Sequence, residues 1–356
     1  MSLDLHSDVI DLLSAIVDIE SVSGNEQQLA DEVEAALRRC EHLEVVRLGN
    51  NVVARTDRGR EERVIVAGHL DTVPLADNLP SQIRTVEGEE RMYGRGTCDM
   101  KAGVAVALSL AAELADPSRD VTWIFYDNEE VEASRNGLNT IERERPDLMD
   151  GDFAVLGEPS AARVEGGCQG TMRFTLTTEG VAAHSARAWR GVNAIHAAGD
   201  VLDRLRRYEP RTVEVEGLEY IEGLNAVRIS GGIAGNVIPD RCTVEVNFRY
   251  APDRTPEQAE QYVRAYFEGY EPVITDSAPA ARPGLDRPLA QDFLRAVGTA
   301  PAPKYGWTDV ARFSARGVPA VNFGPGDPLK AHQDDEYCSL ESVRSVRSAL
   351  ATWLGA

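Results

Sequence analysis

The sequence lacks most of the features that would take it out of the ordinary globular class. Its five cysteines (Cys40, Cys98, Cys168, Cys242, Cys338) are odd in number and include no C-x-x-C pair, which argues against a disulfide framework and against a thiolate zinc site. No apolar run approaches the roughly 20 residues of a membrane span. The longest, 102–115, is broken by Ser109 and Glu113 and reads as a buried helix. The opening MSLDLHSDVI carries acids and no apolar core, so it does not read as a secretory signal, and a reducing cytoplasm is the expected location. Basic residues are few beside the acids, 37 against 58. The resulting net charge of −21 leaves no overall field to hold nucleic acid or an anionic bilayer. Two catalytic signatures are missing as well. There is no G-x-S-x-G elbow of a serine hydrolase, and the Gly94/Gly96 pair lacks the third glycine of a dinucleotide fingerprint, because position 99 is Asp99.

What remains is a 356-residue chain with 43% hydrophobic and 27% charged residues, the balance of a globular protein with room for two domains. Apolar spacing predicts a helix over 25–40, strands over 45–55 and 63–68, a helix over 102–115, a strand entering a turn over 121–128, a helix over 137–145 and a strand over 153–156. This alternation is that of an α/β layer on a largely parallel sheet. From Thr171 the rhythm changes to strand (171–178), helix (192–207), strands (226–231 and 242–250), helix (256–268) and strand (271–276). The order β-α-β-β-α-β is the split βαβ arrangement of a ferredoxin-like domain. After a Pro/Ala/Gly-rich crossing at 277–288 the alternation returns, with helices at 289–298 and after Thr308, a strand at 320–323 and a helix from Ser339. The second domain therefore reads as inserted into the first.

Five motifs carry chemistry: GHLDTVP (68–74), GTCDMKAG (96–103), YDNEE (126–130), GEPS (157–160) and AHQDDE (331–336). Ligand sites in open α/β sheets gather beyond the carboxyl ends of strands, so His69, Asp71, Asp99, Glu129, Glu130 and Glu158 are expected to converge there, with His332 supplied by the returning segment. Imidazole and carboxylate without cysteine suit catalytic Zn²⁺, or Mn²⁺ and Co²⁺ less selectively. One bridging carboxylate, two histidines and two further carboxylates match a two-metal site. The glutamate left over from the Glu129–Glu130 pair is the natural general base. Asp71 either caps the next turn or holds the His69 ring in one tautomer. Taken singly, each motif is weak: an acidic run such as Asp334–Glu336 is usually a solvated face, and Cys98 reads as a small buried hydrophobe.

On these motifs the sequence resembles, over essentially its whole length, the family of co-catalytic di-zinc amidohydrolases and exopeptidases. That family includes aminoacylases, acetylornithine deacetylase, glutamate carboxypeptidase and succinyl-diaminopimelate desuccinylase. The likeness is sharpest to the actinobacterial desuccinylases, and it extends to the runs AGHLDTVPLADNLPS, EGGCQGT, AHSARAWRGVNAIH, GGIAGNVIPD, KYGWTDVARF and VNFGPGDPLKAHQDDE. The resemblance implies an α/β fold: a di-zinc exopeptidase-like catalytic domain with a mixed sheet (1–170 and 281–356) and an inserted ferredoxin-like α+β lid and dimerisation domain (171–280). It implies two Zn²⁺ per subunit, with Co²⁺ or Mn²⁺ as substitutes. His69 and Glu158 would hold one ion, Glu130 and His332 the other, and Asp99 would bridge.

By the same resemblance Glu129 is the general acid/base, and His184 reaches into a partner subunit's site to stabilise an oxyanion, which implies a homodimer formed through the lid. Asn236 and Arg249 would bind substrate carboxylates, and Thr308 would touch the substrate. The implied substrate is a small anionic N-acyl amino acid, N-succinyl-LL-2,6-diaminopimelate, in lysine and diaminopimelate biosynthesis. The alternatives are a deacylase or carboxypeptidase acting on another such compound, acetylornithine for example, and a non-catalytic binding protein on the same fold. Arg187 and Pro328 depart from the proteobacterial desuccinylase pattern, the latter standing where those enzymes carry asparagine.

Overall fold

The computed structural model describes residues 3–355. The chain divides into two compact units. The first comprises the chain through Gly166, Gly284–Ala302 and the chain from Arg312 onward; the second comprises Gly167–Pro283 and Pro303–Ala311. The second unit thus interrupts the first in sequence.

In the first unit a mixed sheet runs from one edge in the order Glu44–Leu48, Asn51–Arg55, Asp120–Tyr126, Arg63–His69, Phe153–Pro159, Ala320–Gly324 and Glu165–Gly166. The four strands from Asp120–Tyr126 to Ala320–Gly324 are mutually parallel, while those flanking them pair antiparallel. Strands DVTWIFY and FAVLGEP are buried along their whole length, as expected where helices cover both faces of a parallel sheet. The apolar segment near 102–115 is helix Lys101–Glu113, buried from Lys101 through Ala112. It lies so close to the sheet that a Cβ on Gly103 would sit 2.2 Å from the carbonyl oxygen of Gly157, so only glycine allows this approach. The C-terminal helix Leu340–Leu354 closes the core through Trp353, whose ring meets Phe293 and Phe153.

The second unit is built on an antiparallel sheet in the order Gly223–Gly231, Arg241–Tyr250, Gly170–Glu179 and Val273–Ala278, and carries helices Ala194–Arg206 and Pro256–Tyr266. Alternate residues of Gly170–Glu179 and Arg241–Tyr250 are buried, so one face of the sheet packs into a core with Ala198, Val201, Val263 and Phe267. Numbered along the chain, the strands lie in the order two, three, one, four, that of the split βαβ arrangement.

Three hairpins differ from the sequence reading. Residues 45–55 form not one strand but a hairpin, Glu44–Leu48 with Asn51–Arg55, which turns at Gly49 with φ +63°. Two more hairpins escaped that reading, Gln82–Val86 with Glu89–Tyr93 and Thr212–Val215 with Leu218–Ile221. Both turn on a Glu-Gly pair with positive φ at each residue, Glu87–Gly88 and Glu216–Gly217. Such turns ordinarily announce themselves with Asn or Asp before the glycine. Among the described residues, no helix is long and apolar enough to cross a membrane.

Candidate metal centre

The parallel run of strands explains why residues far apart in sequence converge. Strand Arg63–His69 delivers His69 at its last position and Asp71 just beyond; Asp120–Tyr126 leads into Glu129 and Glu130; Phe153–Pro159 carries Glu158; Ala320–Gly324 leads toward His332. All lie at the carboxyl ends of neighbouring strands, and Asp99 enters from the turn before helix Lys101–Glu113.

The geometry centres on Asp99. Its Oδ1 lies 3.3 Å from His69 Nε2 and its Oδ2 lies 3.4 Å from His332 Nε2, so each carboxylate oxygen faces a different imidazole. Glu158 Oε1 lies 4.0 Å from His69 Nε2, and Glu130 Oε1 lies 2.9 Å from His332 Nε2. Ligand atoms of His69, Asp99 and Glu130 all fall within 4.8 Å of one another. On its other side, His69 Nδ1 lies 3.0 Å from the Asp71 main-chain oxygen. A carbonyl can only accept, so Nδ1 carries the hydrogen and the Nε2 lone pair points at the carboxylates of Asp99 and Glu158. Lone pairs facing carboxylates repel unless a proton or a cation lies between them.

The electrostatics agree. Burial favours a neutral His69, but hydrogen bonding to Asp71 and Asp99 outweighs it and holds the ring well above its ordinary value. Asp99 and Glu130 push His332 up to about 10. Burial opposes ionisation of Asp99, yet its hydrogen bonds to His332 and His69 hold it well below the usual carboxylate range. Two imidazoles sharing one carboxylate, each with a second carboxylate beside it, fit a pair of divalent ions in donor type and in arrangement.

The nearest acceptor for the His69 ring is the Asp71 main chain, since Asp71 Oδ1 stands 3.5 Å from Nδ1. The fully buried Asp71 side chain has a second task. Oδ1 accepts the Glu129 amide at 3.0 Å; Oδ2 accepts the Glu130 amide at 3.0 Å and the Ser23 hydroxyl at 2.7 Å. The carboxylate thereby fixes the turn that presents both glutamates. Buried Glu26 assists, with Oε1 accepting from Gly24 at 2.7 Å and from Asn128 at 3.3 Å. Asn128 itself has φ +56°, in the left-handed region that asparagine tolerates better than most residues.

Sequence reasoning missed Glu26, and it also took the acidic run 334–336 as solvated. Asp334 and Asp335 are exposed, but Glu336 is buried, pairing at 2.8 Å with buried Arg95. The available signal was Arg95 itself, a cation between two glycines. Lys101 is buried too, its Nζ donating to the Ile19 carbonyl at 2.7 Å, and burial pulls it down to about 7. Cys98 is buried, with a thiol pushed up chiefly by that burial.

Four expected residues belong to the second unit. His184 and Asn236 are neighbours: Ala183–His184 pairs with Val237–Ile238, and Ser185 N donates to the Asn236 carbonyl at 2.9 Å. His184 is exposed and its Nδ1 accepts the Ala186 amide at 3.0 Å, which leaves Nε2 as the protonated nitrogen pointing away from that bond. Arg249 lies on strand Arg241–Tyr250, where burial lowers its pKa, and its Nε donates to Asn247 at 3.2 Å. Thr308 is buried, its carbonyl accepting from the Cys168 thiol at 3.8 Å. Arg187 is exposed, and Pro328 opens the short turn Pro328–Lys330.

A sequence profile of peptidase family M20/M25/M40 matches residues 65–355, and the chain belongs to that family, a class of metal-dependent hydrolases. The chain is 50% identical to the putative succinyl-diaminopimelate desuccinylase of Mycobacterium tuberculosis, with 99% of each chain covered. It is 46% identical to the succinyl-diaminopimelate desuccinylase of Corynebacterium glutamicum, over 99% of this chain and 97% of that one. A tripeptidase from Staphylococcus aureus has the same fold, with a TM-score of 0.78 at 20% identity over 99% of this chain and 98% of the other.

Proposed function

We propose that this chain hydrolyses N-succinyl-LL-2,6-diaminopimelate to succinate and LL-2,6-diaminopimelate, a step of lysine and diaminopimelate biosynthesis in the cytoplasm. The observation that carries the hydrolytic chemistry is Asp99, one carboxylate facing two imidazoles. The substrate rests on the end-to-end likeness to the two named desuccinylases.

In this reading His69 and Glu158 would hold one divalent ion, His332 and Glu130 would hold a second, and Asp99 would be shared. Zinc is the expected metal, with cobalt or manganese as substitutes. When bound, the pair supplies Lewis-acid polarisation of the amide carbonyl and acidifies water. Glu129, held by its amide on Asp71, takes the proton from the attacking water. As the C–N bond breaks, Glu129 returns that proton to the departing nitrogen, so succinate and a free amine leave and one water is consumed.

His184 donates its Nε2 hydrogen to the developing oxyanion, acting in the site of a second copy of this chain. That role needs a homodimer. The exposed edge strand Gly223–Gly231, with Val227 and Ile229 outward, is the surface that suits it. Arg249 and Asn236 bind substrate carboxylates, Arg249 through its planar fork, and Thr308 touches the substrate. A local cation is needed because a net charge of −21 repels an anionic substrate.

The test is a substrate panel on zinc-loaded enzyme. The kcat/KM for succinyl-diaminopimelate should exceed that for acetylornithine by about a hundredfold or more, the discrimination a site built around a charged group achieves. The reverse order would move the assignment to a deacetylase.

A further inference from the structure

Beside the convergent ligands lies a buried ion pair that the reaction scheme above does not use. Glu336 closes the motif that begins at Ala331, and its side chain is 1% exposed. Oε1 accepts the amides of Cys98 at 2.9 Å and Asp99 at 3.1 Å, while Oε2 accepts from Arg95 Nη1 at 2.8 Å. Arg95 in turn donates from Nε to the Pro74 carbonyl at 3.0 Å and from Nη1 to the Gln333 carbonyl at 3.1 Å. The Glu336 carbonyl accepts the Gly94 amide at 3.1 Å. One ion pair therefore ties together the turn bearing Asp99, the loop that follows His69, and the segment bearing His332.

These ties bear on the two residues hardest to place. His332 has φ +65°, a backbone conformation that persists in a non-glycine residue only when its surroundings impose it. Asp99 must present one oxygen to each imidazole, so a small rotation of its backbone costs one of the two contacts. A buried ion pair gives little net stability over apolar replacements. It does supply fixed directions, and three of them reach Asp99 itself, its neighbour Cys98, and Gln333 beside His332.

We propose that the Arg95–Glu336 pair is the positioning element that sets Asp99 and His332 in register, and that metal affinity depends on it. This rests on the metal-site reading above. The experiment measures zinc and cobalt affinity by chelator competition, the visible spectrum of the Co²⁺-loaded protein, kcat and KM, and thermal unfolding of the metal-stripped protein. The variants are Glu336→Ala and Glu336→Gln, with Leu350→Ala as a core control remote from the ligands.

Glu336→Ala should lower metal affinity by about tenfold or more, as losses around metal ligands do. It should alter the Co²⁺ spectrum and reduce kcat while KM stays within about twofold. Glu336→Gln, which keeps a carbonyl for the two amides but turns its NH₂ toward Arg95, should fall between Ala and wild type. A folded Glu336→Ala protein with wild-type affinity and spectrum overturns the proposal. So does an equal loss of affinity in Leu350→Ala, since the effect is then one of general stability. If the Ala variant does not fold, the Gln variant decides, and wild-type affinity in it overturns the proposal. Wild-type protein that binds neither ion overturns the metal-site reading as well, which separates that failure from failure of the positioning role alone.

Discussion

Asp71→Asn is the perturbation whose size the structure sets most clearly. The carboxylate is fully buried and accepts three hydrogen bonds, from the Glu129 and Glu130 amides and the Ser23 hydroxyl. Asparagine keeps one oxygen. If it takes the Oδ2 position, the bonds to Glu130 and Ser23 persist in weaker, neutral form, while its NH₂ confronts the Glu129 amide, donor against donor. The Glu129 bond is the one lost, and a hydrogen bond to a charged group contributes about 1.5–3 kcal/mol. Expressed as misplacement of the proton-transferring carboxylate, that corresponds to roughly 10- to 100-fold in kcat. The assay is succinate release from zinc-loaded enzyme of measured metal content, with KM and thermal unfolding recorded alongside. The prediction is a kcat loss in that range with KM nearly unchanged and two ions retained. Wild-type kcat in a correctly folded, fully loaded variant would refute the claim that Asp71 aims the 129–130 turn.

Other expectations follow from the same geometry. Gly103→Ala places a methyl 2.2 Å from the Gly157 carbonyl, so the helix that follows Asp99 must shift; a stability loss of about 1–3 kcal/mol should appear in denaturant titration. Asp120 is buried, which opposes ionisation, but amides of Arg58 and Arg60 and the Thr56 hydroxyl outweigh that and lower its pKa. Its contribution is therefore present above the unfolded-state value of about 4 and lost as pH falls through the lower folded value. Asp120→Asn should accordingly destabilise at neutral pH by about 1–3 kcal/mol, with the gap to wild type closing in acid. Ile229→Glu on the exposed edge strand should shift sedimentation toward monomer and lower kcat, because His184 then has no second site to enter. Unchanged association would remove that surface from the account.

The layered part of the fold was legible because its signals are local. Strands buried on both faces read as unbroken apolar runs, and the inserted unit reads as alternation with a change of rhythm at Thr171. The motifs at 68–74, 126–130 and 157–160 were legible because each follows such a strand. The Glu-Gly hairpins were not, since glutamate gives no turn signal before the glycine. Glu336 and Glu26 were not legible either. An acid is buried only when tertiary partners supply its donors, and the donors of Glu336 lie at Arg95, Cys98 and Asp99, far away in sequence. The second task of Asp71 was hidden for the same reason: spacing suggests the contact with His69, whereas the bonds to Glu129 and Glu130 exist only once two strands are neighbours.

The most direct test of the account compares wild type with Glu129→Gln for succinate release and bound zinc in one preparation. The account predicts two zinc ions per chain in both proteins, with turnover in wild type and essentially none in the variant. Turnover by Glu129→Gln at the wild-type rate, or turnover by wild type after complete removal of metal, would contradict it.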